Sequence, residues 1–359
     1  MGPSFNEQFD QHGVWRREFA QQLKRLADWM ATHDLMDAAV QERLQRLEDQ
    51  VRSDKVMVAF VAEFSRGKSE LINAIFFADY GRRIMPASAG RTTMCPTELG
   101  YDANVAPSLR LLPIETRLQM QSLAEWRVKA DRWHEIPLDV GNADQIAKAL
   151  EKVAEVRKVS LDNARALGFW HDDLTDENPV PDAQGMVEVP MWRHAIINIP
   201  HPLLKQGLVI LDTPGLNAVG AEPELTVNLI PQAHAVVFIL SADTGVTRSD
   251  LSIWREHLAI SPESVEARLV VLNKIDTLWD TLNTAEQVQS QMERQCATSA
   301  EMLGVSLDRV VPVSAQKGLV AKITADDVLL ETSGLPALEE ALAKGIMGRR
   351  QSISVSYTH

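Results

Sequence analysis

Ala62-Glu63-Phe64-Ser65-Arg66-Gly67-Lys68-Ser69 follows the apolar run Val56-Met57-Val58-Ala59-Phe60-Val61 and precedes the helix-like Glu70-Leu71-Ile72-Asn73-Ala74-Ile75. Strand, glycine-bearing loop and helix, in that order, is the context in which such a loop cradles phosphates. Its backbone N–H groups point inward, the helix amino terminus adds partial positive charge, Lys68 reaches the β/γ oxygens and the Ser69 hydroxyl ligates Mg²⁺. Glu63, Phe64, Ser65, Arg66 and Gly67 complete the cradle, so the chain is expected to bind a nucleoside triphosphate. One position departs from the pattern. Ala62 stands where a first glycine is usual, and a Cβ there restricts positive φ or crowds the turn.

Three later motifs extend the reading. Leu208-Val209-Ile210-Leu211-Asp212-Thr213-Pro214-Gly215 is a buried-strand run ending in an acid and a tight turn. That suits an Asp212 that holds Mg²⁺ through water and a Gly215 N–H aimed at the γ-phosphate. In Leu269-Val270-Val271-Leu272-Asn273-Lys274-Ile275-Asp276 the aspartate selects the base. A carboxylate accepts from both the ring N–H and the exocyclic amine of guanine, whereas adenine would set an acceptor against it. Val310-Val311-Pro312-Val313-Ser314-Ala315-Gln316-Lys317-Gly318 closes another apolar run on a small-residue loop; Ser314 and Ala315 are expected to bind the nucleotide, a backbone N–H near Ala315 donating to guanine's carbonyl. Together the four loops place a phosphate cradle, a magnesium switch and a base pocket along one edge of an open α/β sheet. The expected ligands are GTP, GDP and Mg²⁺.

A GTPase also needs a threonine in a mobile loop, and Pro86-Ala87-Ser88-Ala89-Gly90-Arg91-Thr92-Thr93-Met94-Cys95-Pro96 offers two adjacent ones. With the phosphate loop, Asp212-Thr213-Pro214-Gly215 and Asn273-Lys274-Ile275-Asp276, this segment resembles a bacterial member of the dynamin superfamily, over roughly residues 50 to 350. The resemblance implies a GTPase domain that pairs face to face across its nucleotides as a homodimer and is stimulated to hydrolyse by doing so. It also implies coupling to a helical bundle and stalk that assemble on membranes. By position, Thr93 fits the family's switch threonine and third Mg²⁺ contact, with Thr92 the alternative. Ser65 fits the serine that arranges the attacking water and a charge-compensating monovalent cation.

Leu216 follows Gly215 directly, where Ras-like GTPases carry a water-orienting glutamine. A leucine cannot hydrogen-bond a nucleophile, so slow turnover is expected of the monomer and faster turnover of the dimer. The candidate catalytic residues are Ser65, Arg66, Lys68 and Thr93. For Arg66 two readings stand: a guanidinium that neutralises charge on the β–γ bridge, in its own site or across a dimer, or a solvated loop-tip arginine.

At 359 residues with a net charge of −13, the chain can bury a full core but repels nucleic acid and anionic lipid at long range. Nucleic acid is therefore not an expected partner. Cys95 and Cys296 have no metal spacing, and the histidines form no zinc motif. Cys95, beside the switch threonine, reads as a packing residue in a reducing cytosol. No stretch approaches the roughly twenty apolar residues of a membrane span, and the start lacks a signal sequence. A cytoplasmic protein is expected, peripheral at the inner face of the membrane.

The expected fold is a three-layer α/β P-loop GTPase with a mostly parallel sheet, flanked by part of a helical bundle. Residues 1–54 read as bundle helix, with Trp15, Phe19, Leu23, Leu26, Met30 and then Leu35, Met36, Val40, Leu44, Leu47, Val51 at helical spacing. Residues 55–350 read as the GTPase domain and 351–359 as a truncated tail, the missing helices suggesting a fragment without its stalk. A helical insertion is expected at about 115–185, in two pieces, Glu115 to Trp133 and Asn142 to Phe169. Further expectations are a strand near Ala195–Ile199, a core strand at Ala235–Leu240 and a helix from Leu251 to Leu258. The expected function is GTP hydrolysis coupled to self-assembly or membrane remodelling. The alternatives are a GTP-gated binding module with negligible turnover and, more weakly, a GTPase of ribosome or metal-centre assembly.

Overall fold

The computed structural model describes residues 21–22, 24–30, 32–33, 55–86, 95–119, 121–172, 178–205, 207–214, 230, 233–258, 268–279 and 284–342. Thr92, Thr93, Gly215, Leu216, most of the amino-terminal helical segment and the tail lie outside them.

The core strands are β1 (Val56–Ala62), β8 (Leu208–Asp212), β9 (Ala235–Ser241), β10 (Arg268–Asn273) and β11 (Val310–Pro312). They lie in the order β11-β10-β9-β1-β8, and every neighbouring pair is parallel. Their near-continuous apolar runs are what a sheet covered on both faces requires. Along β1, Val58, Phe60 and Ala62 enter one core cluster while Ala59 and Val61 enter the other, the two-residue alternation of a pleated strand.

One face is covered by α1 (Lys68–Ile72) with the π-helical turn that prolongs it, by α8 (Ala315–Thr324) and by residues 335–342. Leu71, Leu319, Leu335, Leu338 and Leu342 bury themselves there. The other face is covered by α6 (Arg248–Ile253) with the π-helical turn that prolongs it and by α7 (Ala285–Leu303), which contribute Ile253, Trp254, Cys296, Ala300 and Leu303. Both cysteines are packing residues: burial pushes the Cys95 thiol up to about 12 and the Cys296 thiol up to about 11.

Beyond β8 the sheet continues through β2 (Thr97–Gly100), β7 (Trp192–Asn198), β3 (Ser108–Pro113) and β4 (His134–Pro137), nine strands in all. Here antiparallel pairs enter: β2 with β8, β3 with β7 and β3 with β4.

The insertion is only partly the helical unit expected. It holds α2 (Leu123–Arg127), α3 (Ala143–Glu151) and α4 (Leu161–Leu167), but Val156–Ser160 is a strand, β5, paired antiparallel with β6 (Met186–Pro190). The helical spacing read across residues 142–169 is cut where Glu155 turns to extended backbone and Val156 and Val159 carry β-branched side chains. Ile114, Val159, Leu167, Phe169, Val187 and Val189 form a small core of their own. The segment read as helix from Glu115 to Trp133 is divided into three short turns of helix.

The insertion is tied to β2 by charge. Glu98 of β2 accepts from His194 Nε2 at 3.0 Å and from the Arg127 guanidinium of α2. Burial alone would raise the Glu98 carboxyl, but the hydrogen bond and charge of His194 and then Arg127 overcome it and hold it down to about 2. A depressed carboxylate contributes stability above its ordinary value and loses it as pH falls toward the folded one. Glu98→Gln is therefore expected to cost about 3 kcal/mol at pH 7. In urea unfolding, the gap to the parent protein should narrow as pH falls from about 4.5 toward 2.

Candidate nucleotide-binding site

Each of the four loops sits at the carboxyl end of a core strand: residues 63–67 after β1, 213–214 after β8, 274–276 after β10 and 313–314 after β11. Ala62, which departs from the expected glycine, is the last residue of β1 and is not among the residues at positive φ, so its Cβ meets no backbone strain. The positive φ falls instead on Ser65, at 64°, and Gly67, at 83°. A non-glycine residue held in the left-handed region, as Ser65 is, marks a turn over-determined by its surroundings.

Gly67 is required twice over. Besides its φ, a Cβ there would lie 2.4 Å from Asn273 Nδ2. That amide group is the hinge pin of the site: Asn273 Nδ2 donates to Arg66 O at 2.8 Å, and Asn273 Oδ1 accepts from Ala315 N at 3.0 Å. One buried side chain thus ties the phosphate loop to the loop after β11. Gly67→Ala is expected to push Asn273 out and weaken guanine-nucleotide binding by about ten- to a hundredfold, measured by titration calorimetry with GDP.

Lys68 and Asp212 meet at the centre of the site. Their Nζ and Oδ1 atoms are 2.9 Å apart and both side chains are nearly inaccessible, yet the approach lacks the alignment of a hydrogen bond. A buried ammonium without an aligned acceptor fits a polyanionic ligand that brings one. Among the described residues no group of three or more His, Cys, Asp and Glu is placed to hold a metal alone. Ser69 in the first turn of α1 and Asp212 at the end of β8 are oxygen donors of the kind that Mg²⁺ takes beside water and nucleotide phosphates.

The base pocket lies beside them. Ser314 Oγ donates to Asp276 Oδ1 at 2.6 Å, fixing the carboxylate that the sequence assigns to guanine. Lys274 sits at φ 61° and donates from Nζ to Asp243 Oδ2 at 3.2 Å. Burial opposes ionisation of Asp243, but Ser241 Oγ at 2.6 Å and Lys274 hold its carboxyl below the ordinary range. The N–H of Ala315 is already given to Asn273, so Ala315 supports the pocket through that residue. Glycine is needed at Gly334 as well, where φ is 70° and a Cβ would lie 2.2 Å from Pro312 O, under the strand that ends in this loop.

Arg66 is neither solvated nor turned loose at the loop tip. It is 6 % exposed, and its guanidinium reaches Glu63 Oε2 at 2.5 Å, Asp250 Oδ2 at 2.8 Å, Thr247 Oγ1 at 3.3 Å and the Thr244 hydroxyl. Burial pushes the Asp250 carboxyl above its ordinary value, opposed by hydrogen bonds from Thr247 and by the charge of Arg66. Acting on charge at the β–γ bridge would require Arg66 to leave these partners. Asp250, Thr244 and Thr247 were not legible as site residues; the one local signal is the Thr247–Asp250 capping box that opens α6. Phe64 stands half exposed at the rim of the loop, and Ser69 is partly buried in the first turn of α1.

Residues 58–275 match the family model described as the dynamin family. The chain is 25% identical over 313 residues to Dynamin-like protein A of Bacillus subtilis, covering 79% of this chain and 24% of that protein. It is 21% identical over 340 residues to an uncharacterized protein from the xynA 3′ region of a Caldicellulosiruptor species, covering 94% and 67%. A solved structure of an oligomerised bacterial dynamin pair, described as sensing and tethering membranes over long range, superposes with a TM-score of 0.57 at 15% identity, covering 99% of this chain and 54% of that one. The chain thus spans about a quarter of the Bacillus protein and about half of the chain in that structure.

Proposed function

The chain belongs to the dynamin family, and from that premise we propose that it is a GTP phosphohydrolase whose nucleotide cycle times self-assembly at a membrane. The observation that carries the reading is Asn273, whose amide locks the phosphate loop to the base pocket, beside an Asp276 oriented by Ser314. A nucleotide laid from Asp276 to Lys68 meets donors and acceptors fixed in advance, which is where positioning catalysis draws its free energy.

Asp276 selects guanine, while the donor for its carbonyl comes from the first turn of α8. Lys68 turns from Asp212 to the β/γ oxygens. Ser69 and Asp212, with Thr93, would hold Mg²⁺, which supplies charge neutralisation at those oxygens. Ser65 and Thr93 arrange the attacking water, a task Leu216 cannot perform, and the constellation is completed when two copies meet across their nucleotides. Arg66 enters this reading as a brace that fixes the loop to α6. The family and the oligomerised, membrane-tethering structural neighbour support a homodimer that works as a peripheral protein at the inner face of the membrane. No described helix is long and apolar enough to cross one.

GTP turnover per molecule across a wide range of protein concentration tests the reading, with Lys68→Ala as the blank. Specific activity is expected to rise with concentration. Flat, near-zero turnover despite tight GTP binding would favour the GTP-gated binding module instead.

A further inference from the structure

A cavity of about 370 Å³ lies at the far edge of the sheet, between the insertion and strands β3, β4 and β7. It is remote in sequence from the four nucleotide loops and shares no lining residue with them. Trp126, Trp192 and His134 form aromatic walls, the last two rings meeting edge-on at 5.4 Å. The ionised residues lining it are Arg132, Arg157 and Glu115, an excess of one positive charge.

The donors of this cavity are unevenly satisfied. The indole N–H of Trp192 donates to Lys152 O at 2.8 Å, and that of neighbouring Trp133 to Trp126 O at 2.9 Å. Trp126, only 1% exposed, has no acceptor for its own N–H among the described residues. Arg157 pairs with Glu115 through one terminal nitrogen, while its buried Nε–H is likewise without an acceptor. Buried indole and guanidinium donors ordinarily find partners, and an oxyanion from outside the chain would fit two orphaned donors on residues that line one cavity. Two N–H donors suit the two oxygens of a carboxylate, and the aromatic walls suit a flat ring.

We infer that this cavity binds a small aromatic carboxylate, its oxygens taking the Trp126 and Arg157 N–H groups and its ring lying against Trp192 and His134. Trp126 sits on α2 one residue before Arg127, whose guanidinium holds Glu98 on β2. That strand follows the segment carrying Thr92 and Thr93 in sequence, so an occupant of the cavity bears on the helix whose Arg127 anchors β2.

The test uses the full chain with ¹⁵N-labelled indoles, whose eight tryptophans give eight N–H signals, and Trp126→Phe to assign one of them. Benzoate and indole-3-carboxylate are titrated as probes against the neutral benzamide. The Trp126 signal should move downfield and saturate with either carboxylate, stay in place with benzamide, and need about tenfold more probe in Arg157→Gln. The other seven signals report whether that variant keeps the fold; if it does not, the comparison with benzamide decides alone. No movement up to the solubility limit, an equal response to benzamide, or an unchanged half-saturation in a folded Arg157→Gln would overturn the inference.

Discussion

Lys68→Ala is expected to lower GTP turnover by about 10²–10³-fold, the loss that follows removal of one fixed donor from a transition-state site, with a matching loss of GTP affinity. The same variant should be less stable than the parent by about 3 kcal/mol when free of nucleotide. Lys68 is the cation 2.9 Å from Asp212, and both lie inside the protein, so deleting one removes this ion pair from a buried site. The two effects separate in a double variant. Lys68→Ala with Asp212→Asn should recover most of the melting temperature in thermal unfolding, because both charges of the buried pair are then removed together, and should still not bind GTP. A Lys68→Ala protein that hydrolyses GTP at the parent's rate would show that the loop does not hold the phosphates.

Asp276→Asn is expected to weaken GTP binding by up to about 10⁴-fold and to turn the site toward xanthine nucleotides. The Asp276 carboxylate accepts one bond from Ser314 at 2.6 Å, which fixes its orientation. An amide in its place sets a donor against guanine's amine. Xanthine carries a carbonyl at that position and would accept from the amide, so XTP should bind the variant better than GTP does. Competition of unlabelled GTP, XTP and ATP against a fluorescent GDP reads the effect directly. A variant that keeps its preference for GTP would remove Asp276 from the base pocket.

The features legible in the sequence are those written locally. The apolar runs Val56–Val61, Leu208–Leu211, Ala235–Leu240 and Leu269–Leu272 read as core strands because a parallel strand covered on both faces has no polar side to interrupt it, and each lies within an observed strand. The loops that follow them carry their chemistry within eight or nine residues, so Lys68, Asp212, Asn273, Asp276 and Ser314 could be named before their contacts were known.

The illegible features depend on distant partners. Thr97-Glu98-Leu99-Gly100 does not look like a buried strand, and Glu98 is accommodated there only because His194 and Arg127 converge on it. The strand Val156–Ser160 was hidden in a helical pattern because Met186–Pro190, which pairs with it, comes some thirty residues later. Arg66 was open to two readings, and the structure offers a third. Its anchor, Asp250, is 184 residues away, a separation over which no local pattern can speak. Asn273 was legible as part of a base-reading motif, but its grip on the backbone of Arg66 was not.

The central claim is that these four loops form one guanine-nucleotide site, and equilibrium binding of GTP, GDP and ATP to the unmodified chain in Mg²⁺ tests it most directly. GTP and GDP should bind with Kd values in the micromolar range or tighter, and ATP should fail to displace either at about a thousandfold excess. Equal competition by ATP, or no heat of binding with any of the three, would contradict it.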